Sequence, residues 1–242
     1  GTWPKLMELY ELSAGNIITN RRTKEWYDLF LPTGKPYLIL DQEMPKKEYF
    51  ERPFSPKISA SDGEIHTVVI GRMIGISVED MRRLAAHRIH VHLYSASYYR
   101  QKNTGNNLYG RVAQGYFHVH AYCPNEKWGE EFSRYDAGWL HAGHSRNRGD
   151  LFRAMWDDLN IPARVGTLAA AGLPMILRRN TEHIVASKEL SEQYGIGILY
   201  DSITELATQL HDKDFMDILK RNMQEHRMEF TMDAHTPELI RF

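Results

Sequence analysis

"LNIPARVGTLAAAGLPMIL", residues 159–177, carries its own start and stop signals for one helix and one strand. Pro162 lacks an N–H at a point where the first helical turn needs none. Gly172 suits a left-handed residue after the last turn, and Pro174 prevents continuation. Val165, Leu168, Ala169 and Gly172 follow the i, i+3, i+4, i+7 spacing, so one face packs on a sheet, and its small side chains allow close approach. The apolar run that follows predicts a strand. Arg164 falls in the first turn, where a cation is unfavourable against the helix dipole unless an anion answers it. A solvated arginine on a core helix is the plainer account of that stretch alone. Thr167, three residues on, shares the edge of Arg164.

Outward from this unit the same alternation recurs. "HTVVIG" (66–71), "IHVHLYS" (89–95), "YFHVHAY" (116–122), "DAGWLHA" (136–142), "PMILR" (174–178) and "GIGILYD" (195–201) predict six strands. Between them "SVEDMRRLAAH" (77–87) predicts a helix with Ser77 as N-cap and Asp80 closing a capping box. "NEKWGEEFSRY" and "ASKELSEQY" predict further helices, "HSRNRGDLFRAMWDDLN" a basic loop entering a helix, and 202–211 and 213–228 two terminal helices. The expected class is α/β, a doubly wound parallel sheet. Upstream, "TWPKLMELYELS", "NIITN", "RRTKEWYDLFL" and "KPYLILD" predict a helix followed by one βα unit and another strand. "EMPKKEYFERPFSPKISASDGE", with Pro45, Pro53 and Pro56, reads as a linker. The expected division is 1–45, a fragment of a second domain; 46–63, linker; and 64–242, the larger domain.

Composition removes whole function classes. With 242 residues, 42% hydrophobic and 25% charged, the chain is long enough for a sizeable core and is not dominated by disorder. Thirty Lys and Arg against 31 Asp and Glu give a formal charge of −1, so no global field favours nucleic acid, and an anion site has to be local. The single cysteine, Cys123, excludes an intrachain disulfide framework and a cysteine-based zinc site, which fits a reducing compartment. No apolar run approaches the ~20 residues that span a bilayer. The expected location is cytoplasmic, with peripheral contact at a membrane allowed. Gly1 in place of Met suggests a piece of something longer.

Taken in order, these motifs resemble the C-terminal, donor-binding half of GT-B glycosyltransferases of the large retaining type that use nucleotide-activated sugars. "IPARVGTLAAAGLPMIL" resembles that family's proline, basic, acidic, "LAAGLPVI" signature; "HTVVIGRMIGIS" looks like its first C-terminal strand ending in Gly-Arg; and "AYCPNEKWGEEFSRYDAGWLHA" is similar to its strand, proline turn, short helix and "ADVGLLP" strand. Residues 64 to about 228 are covered, and 14–45 look like the last βαβ of the acceptor-binding half.

The resemblance implies a nucleoside-diphosphate sugar at the C-terminal ends of the strands, where open α/β sheets place ligands. By position, Gly71 and Gly75 would let the backbone approach the donor, and Arg72 would neutralise the diphosphate as the glycosidic bond breaks. Tyr122 would frame the base; His144, Ser145, Arg146 and Asn147 would face sugar and phosphates; Pro162, Arg164 and Thr167 would hold the helix entrance. Arginine and helix amides can stabilise such a leaving group without a metal or other cofactor. Partners implied are the donor, an acceptor glycan or lipid-linked glycan in glycan or polysaccharide biosynthesis, and a missing N-terminal domain, without which the chain is expected to transfer little sugar. Two departures stand out. Thr167 takes the place of a glutamate that accepts from ribose hydroxyls, and "MIGIS" supplies no lysine after Gly-Arg, leaving Arg146 or Arg148 to substitute.

His90 with His92, and His118 with His120, share strand faces, and with His141 and His144 they could gather round a metal; capping of strand ends or bonds to neighbouring carbonyls is the preferred reading, since no carboxylate or thiolate stands at a zinc-site spacing. "GRMIGIS" lacks the third glycine of a dinucleotide fingerprint, which argues against a nicotinamide cofactor. Tyr98, Tyr99 and Tyr109 with Arg100 and Arg111 read as mobile surface, Arg21 and Arg22 as ordinary surface charge, and "MDAHTPELIRF" as a segment crossing back to the N-terminal half or a loose tail. A non-catalytic binding module and a nucleotide-sugar epimerase on the same plan remain the rival functions.

Overall fold

The protein is described by a computed structural model over residues 3–31, 34–41, 43–101, 107–140 and 142–242. Eight strands form in chain order: β1 (Asn16–Ile18), β2 (Tyr37–Ile39), β3 (Ile65–Ile70), β4 (Ile89–Tyr94), β5 (Phe117–His120), β6 (Ala137–Trp139), β7 (Met175–Arg178) and β8 (Gly197–Tyr200). The last six make one parallel sheet in the order β5-β4-β3-β6-β7-β8, with helices on both faces. The strand order reverses between β3 and β6, which opens a crevice at their C-terminal ends. The α/β class expected from the alternation is the one observed.

Alternation along each strand sorts the two cores. Val69, Val91, Leu93, Ile176 and Ile198 face one layer, built with Met81, Leu84, Leu206 and Met216 from the helices Val78–Ala86, Ile203–His211 and Lys213–His226. Val68, Met175 and Leu177 face the other, with Phe132, Leu168, Met223 and Phe230. The helix Arg164–Ala170 lies so close to the sheet that a Cβ on Gly138 of β6 would come 2.1 Å from Leu168 Cδ2. Gly172 takes φ +67°, and the bonds Gly172 N to Ala169 O (3.0 Å) and Leu173 N to Leu168 O (3.0 Å) close the helix end. Truncating Leu168, which is wholly buried, would cost about 2–5 kcal/mol.

The N-terminal unit is separate in its pairing. β1 and β2 form a parallel two-stranded pair joined through the helix Arg21–Asp28, whose N-cap is Asn20. It docks on the larger unit: Asn20 Nδ2 donates to Leu159 O at 2.7 Å, and Arg22 Nε meets Glu189 Oε2 at 2.8 Å, so Arg22 is an inter-unit contact and not ordinary surface charge. The segment read as a linker is packed rather than free. It holds a 3-10 turn, Lys47–Phe50, and a short helix, Ser59–Asp62, with Phe50 buried and Ile58 N bonded to Arg134 O at 2.9 Å.

Two local expectations change, and one open reading is decided. Among the described residues of "DAGWLHA" only Ala137–Trp139 are strand, and just beyond it the carbonyls of Trp139 and Leu140 accept from the Arg164 guanidinium at 3.4 and 3.1 Å. The stretch 125–135 breaks into a 3-10 turn, Asn125–Lys127, and a five-residue helix, Trp128–Phe132. The C-terminal segment crosses back to the N-terminal half, the first of its two expected readings, and is not a loose tail: Thr231 caps a helix, Met232–Arg241, whose Met232 N bonds Pro45 O at 3.0 Å while the Phe242 ring lies against Gly15. No helix of the described residues is long and apolar enough to cross a membrane.

Candidate functional site

Crevice geometry begins with two loops that leave the sheet side by side. Gly71 and Gly75 adopt φ of +92° and +76°, conformations other residues rarely enter. A Cβ at Gly75 would sit 2.2 Å from Ala142 C and 2.3 Å from Gly143 N, so glycine is what lets the loop after β3 lie on the loop after β6. Next to this contact, Arg164 reaches over from its helix. Its Nη2 donates to Arg72 O at 3.2 Å and lies 3.8 Å from where a Gly71 Cβ would be.

Arg164 therefore ties together the ends of β3 and β6. Its three bonds go to backbone carbonyls, and among the described residues no carboxylate pairs with it or with Arg72. Burial first, and the nearby Arg72 charge second, bring its guanidinium down to about 10, so it stays protonated at neutral pH in a site that disfavours its charge. Arg72 is exposed. Two neighbouring cations at the switch point, one half-buried and neither answered by an acid, make a local excess of positive charge, which an anion would relieve.

The helix entrance offers less than its sequence suggested. Helix Arg164–Ala170 has seven residues, and the amides of Val165 and Gly166 already bond Pro162 O (2.9 Å) and Ala163 O (3.2 Å). Pro162 is buried, and a Cβ at Gly166 would meet the Pro45 ring at 2.5 Å, so the linker covers this turn. Thr167 is 5% exposed. The cationic character of the entrance thus resides in the Arg164 side chain.

Remaining candidates fall into two groups. Asn147 is wholly buried and committed to the loop itself: its Nδ2 donates to Ile184 O at 2.7 Å, and its Oδ1 accepts from Ile184 N and Gly149 N, both at 3.0 Å. Ser145 N donates to Asn180 Oδ1 at 3.0 Å. His144 and Arg146 remain exposed, as does Arg148, which holds φ +53°. A small cavity of about 80 Å³ opens beside His144 and Ser145, with Asp157, Asp158 and Arg178 also on its wall. Tyr122 is 68% exposed after β5, its hydroxyl donating to Asn125 Oδ1 at 3.1 Å.

Sequence reasoning missed Arg178. It is 9% exposed at the end of β7, donates to Ala142 O (3.2 Å) and Asp201 O (2.8 Å), and approaches Asp80 Oδ2 at 3.6 Å. The signal available was an arginine closing an apolar strand, where the last carbonyls of neighbouring strands want donors.

The histidines occupy a different place. On the face of β3, β4 and β5 shared with Val68, the ring nitrogens of His66 and His92 lie 2.9 Å apart, as do those of His92 and His120, while His90 and His118 are 3.0 Å apart. Each file ends on an acid, His66 Nε2 on Asp62 at 2.9 Å and His90 Nε2 on Glu64 at 2.8 Å. Where bonds to neighbouring carbonyls are the expectation, the ring nitrogens of His90, His92, His118 and His120 instead meet other imidazoles and, for His90, Glu64, because the parallel register sets these rings side by side; His66, Asp62 and Glu64 join them. His144 lies in the β6 loop, and His141 falls outside the described residues. Burial, and then the neighbouring imidazoles, push His92 down to about 2 and His118 to about 4.

No protein-family model matches the chain, and no curated protein does. Among solved structures it is similar to the glycosyltransferase SnogD from Streptomyces nogalater, at 15% identity and a TM-score of 0.43 over 87% of this chain and 48% of that one. It is also similar to Phytolacca americana UGT2, solved with UDP-2fluoro-glucose and pterostilbene, at 12% identity and a TM-score of 0.47 over 90% of this chain and 50% of that one. A phenylacrylic acid decarboxylase from Aquifex aeolicus is similar at 13% identity and a TM-score of 0.31, over 64% of this chain and 96% of that one. The chain spans about half the length of the two glycosyltransferases, and likenesses this distant carry nothing about chemistry, so the crevice has to be interpreted from its own residues.

Proposed function

We propose that this chain is the donor-binding half of a GT-B glycosyltransferase, taking a nucleoside-diphosphate sugar into the crevice between β3 and β6. The observation that carries the proposal is the convergence of Arg164 and the Gly71–Arg72 turn at the strand-order switch, with no acid among the described residues answering either cation. On this reading residues 64–242 hold the donor, and 1–45 are the end of the acceptor-side domain. Arg72 is the exposed cation that contacts the diphosphate. Arg164 fixes the turn from which Arg72 projects and adds its charge from behind.

In the transfer, the bond from the anomeric carbon to the β-phosphate oxygen breaks and that oxygen keeps the electron pair. The acceptor hydroxyl oxygen bonds the anomeric carbon, and its proton leaves with the departing phosphate. Charge grows on the leaving diphosphate, so a preorganised cation lowers this barrier more than it stabilises the bound donor. Retention of anomeric configuration, and a glycan or lipid-linked acceptor, follow from the sequence resemblance.

Thermal-shift measurement against UDP, GDP, ADP and their sugar conjugates tests the proposal. A true ligand at a hundred times its dissociation constant adds about 2.7 kcal/mol to stability. A shift with one nucleotide series, lost in Arg72→Ala, is expected. Absence of a shift with every member would overturn donor binding and leave a non-catalytic module on the same fold.

A further inference from the structure

The N-terminal ends of β3 and β4, opposite the crevice, present a second polar cluster with a different chemistry. Asp62 closes the short helix Ser59–Asp62, and the chain then turns into β3, so that His66 and His90 stand at paired positions of adjacent strands. Their rings stack with centroids 4.2 Å apart and planes within 1°. Both Nε2 atoms point to the acids: His66 to Asp62 and His90 to Glu64. Glu64 is held there by Arg88, which donates to its other oxygen at 2.8 Å. One ligating atom each from Asp62, His66 and His90 falls within 4.8 Å of the others.

We propose that Asp62, His66 and His90 bind one divalent transition-metal ion of the zinc class, bracing the short helix Ser59–Asp62 against β3 and β4. Two neutral imidazoles and a carboxylate are a donor set that zinc and nickel accept. His66 is nearly fully buried, and Asp62 is exposed, which leaves an entry path from solvent. Zinc at about 2.0–2.1 Å from each nitrogen requires the two Nε2 atoms to lean together from their stacked separation.

What distinguishes this cluster from a chance meeting of ligands is the row of partners behind it. A metal-bound histidine needs its other ring nitrogen held by an acceptor. Here His66 Nδ1 already lies 2.9 Å from His92 Nε2, and His90 Nδ1 lies 3.0 Å from His118 Nε2. In the metal-free protein Asp62 accepts the Nε2 proton of His66, so His66 Nδ1 accepts from His92 Nε2–H. Once Nε2 coordinates a metal, the His66 proton has to sit on Nδ1 and donate to His92, which reverses the tautomer of the next ring. The same reversal applies from His90 to His118. Metal binding thus leaves a mark on rings that never touch the ion.

Calorimetric titration of ZnCl2 into the EDTA-treated protein tests the site. One equivalent is expected to bind the wild type. Asp62→Asn, which keeps an oxygen acceptor for His66 at an exposed position, and His90→Gln should each weaken that binding by at least the roughly 10–100-fold carried by outer-shell partners alone. Nitrogen-15 spectra should show His92 and His118 moving from the Nε2–H to the Nδ1–H form on saturation. Zinc bound with unchanged affinity by Asp62→Asn would place it on surface histidines and overturn the proposal, as would no stoichiometric binding or zinc binding with the tautomers unmoved. None of these readouts involves the nucleotide, so failure here and failure of donor binding are separable.

Discussion

At the C-terminal ends of β3, β6 and β7, the Arg164 and Arg178 guanidiniums sit on backbone carbonyls, whereas on one face of β3, β4 and β5 five imidazoles sit on one another. Both regions bury ionisable groups at strand ends and faces, where a parallel sheet usually places apolar side chains. A guanidinium brings five donors and a permanent charge, so it can take up several carbonyls at once. A neutral imidazole brings one donor and one acceptor, and forms files in which each ring answers the next. The first arrangement carries the guanidinium charge; in the second, burial and neighbouring imidazoles make His92 and His118 resist protonation.

The contrast can be broken from the rim side first. Gly75→Ala places a Cβ against the backbone of Ala142 and forces a φ of +76° on a residue with a side chain. A loss of about 3 kcal/mol or more is expected in chemical denaturation, from backbone strain and overpacking together. Near-wild-type stability would mean that the two crevice loops are not in contact. Arg178→Met should follow at about 2–3 kcal/mol, since the buried carbonyls of Ala142 and Asp201 lose their donor, and this loss should be the same at pH 5 and pH 8.

Acid distinguishes the histidine face. The unfolded chain takes a proton on His92 near pH 6.5, while the folded protein resists it down to about 2. Between those values the unfolded state binds more protons, so the stability contribution is complete above pH 6.5 and is lost as pH falls. The slope from His92 reaches at most about 1.4 kcal/mol per pH unit, with a smaller share from the half-exposed His118. Denaturation midpoints of metal-free protein from pH 7.5 to 5 would show it; a flat profile would mean that the imidazoles are already charged or solvated.

Arg72→Ala gives the smallest stability effect and the sharpest functional one. Being exposed, Arg72 should change folding stability by less than about 0.5 kcal/mol. Its loss should weaken nucleoside-diphosphate binding by about tenfold, or ~1.4 kcal/mol, in calorimetry. Unchanged affinity would remove Arg72 from the proposed donor site.

How much of this was legible beforehand varies with how local each cause is. The Ser77 capping box and the Gly172 stop follow from residues three to five positions apart, and both appear as expected. The third C-terminal helix, Met232–Arg241, did not stand out, because Pro237 lies inside it and its anchor is Pro45, almost the full chain away. Among candidate site residues, Arg72 and Arg164 meet in space, but Asn147 is absorbed by the Ile184 backbone, which no spacing within "HSRNRGD" could reveal. His66 was overlooked since it stands alone in "HTVVIG"; its partners come from the next strand and the preceding turn.

The sequence by itself determined the order of the strands, the longer helices between them, the Ser77 and Gly172 caps and the two faces of each strand, because periodicity and turn chemistry act over a few residues. Tertiary structure decided which charges meet: register alone sets His66 beside His90, and the reversal of strand order alone brings Arg164 to the Gly71 turn. Hydrogen bonds and Coulomb forces act over a few ångströms of space, and the chain distance between their partners leaves no trace in local pattern.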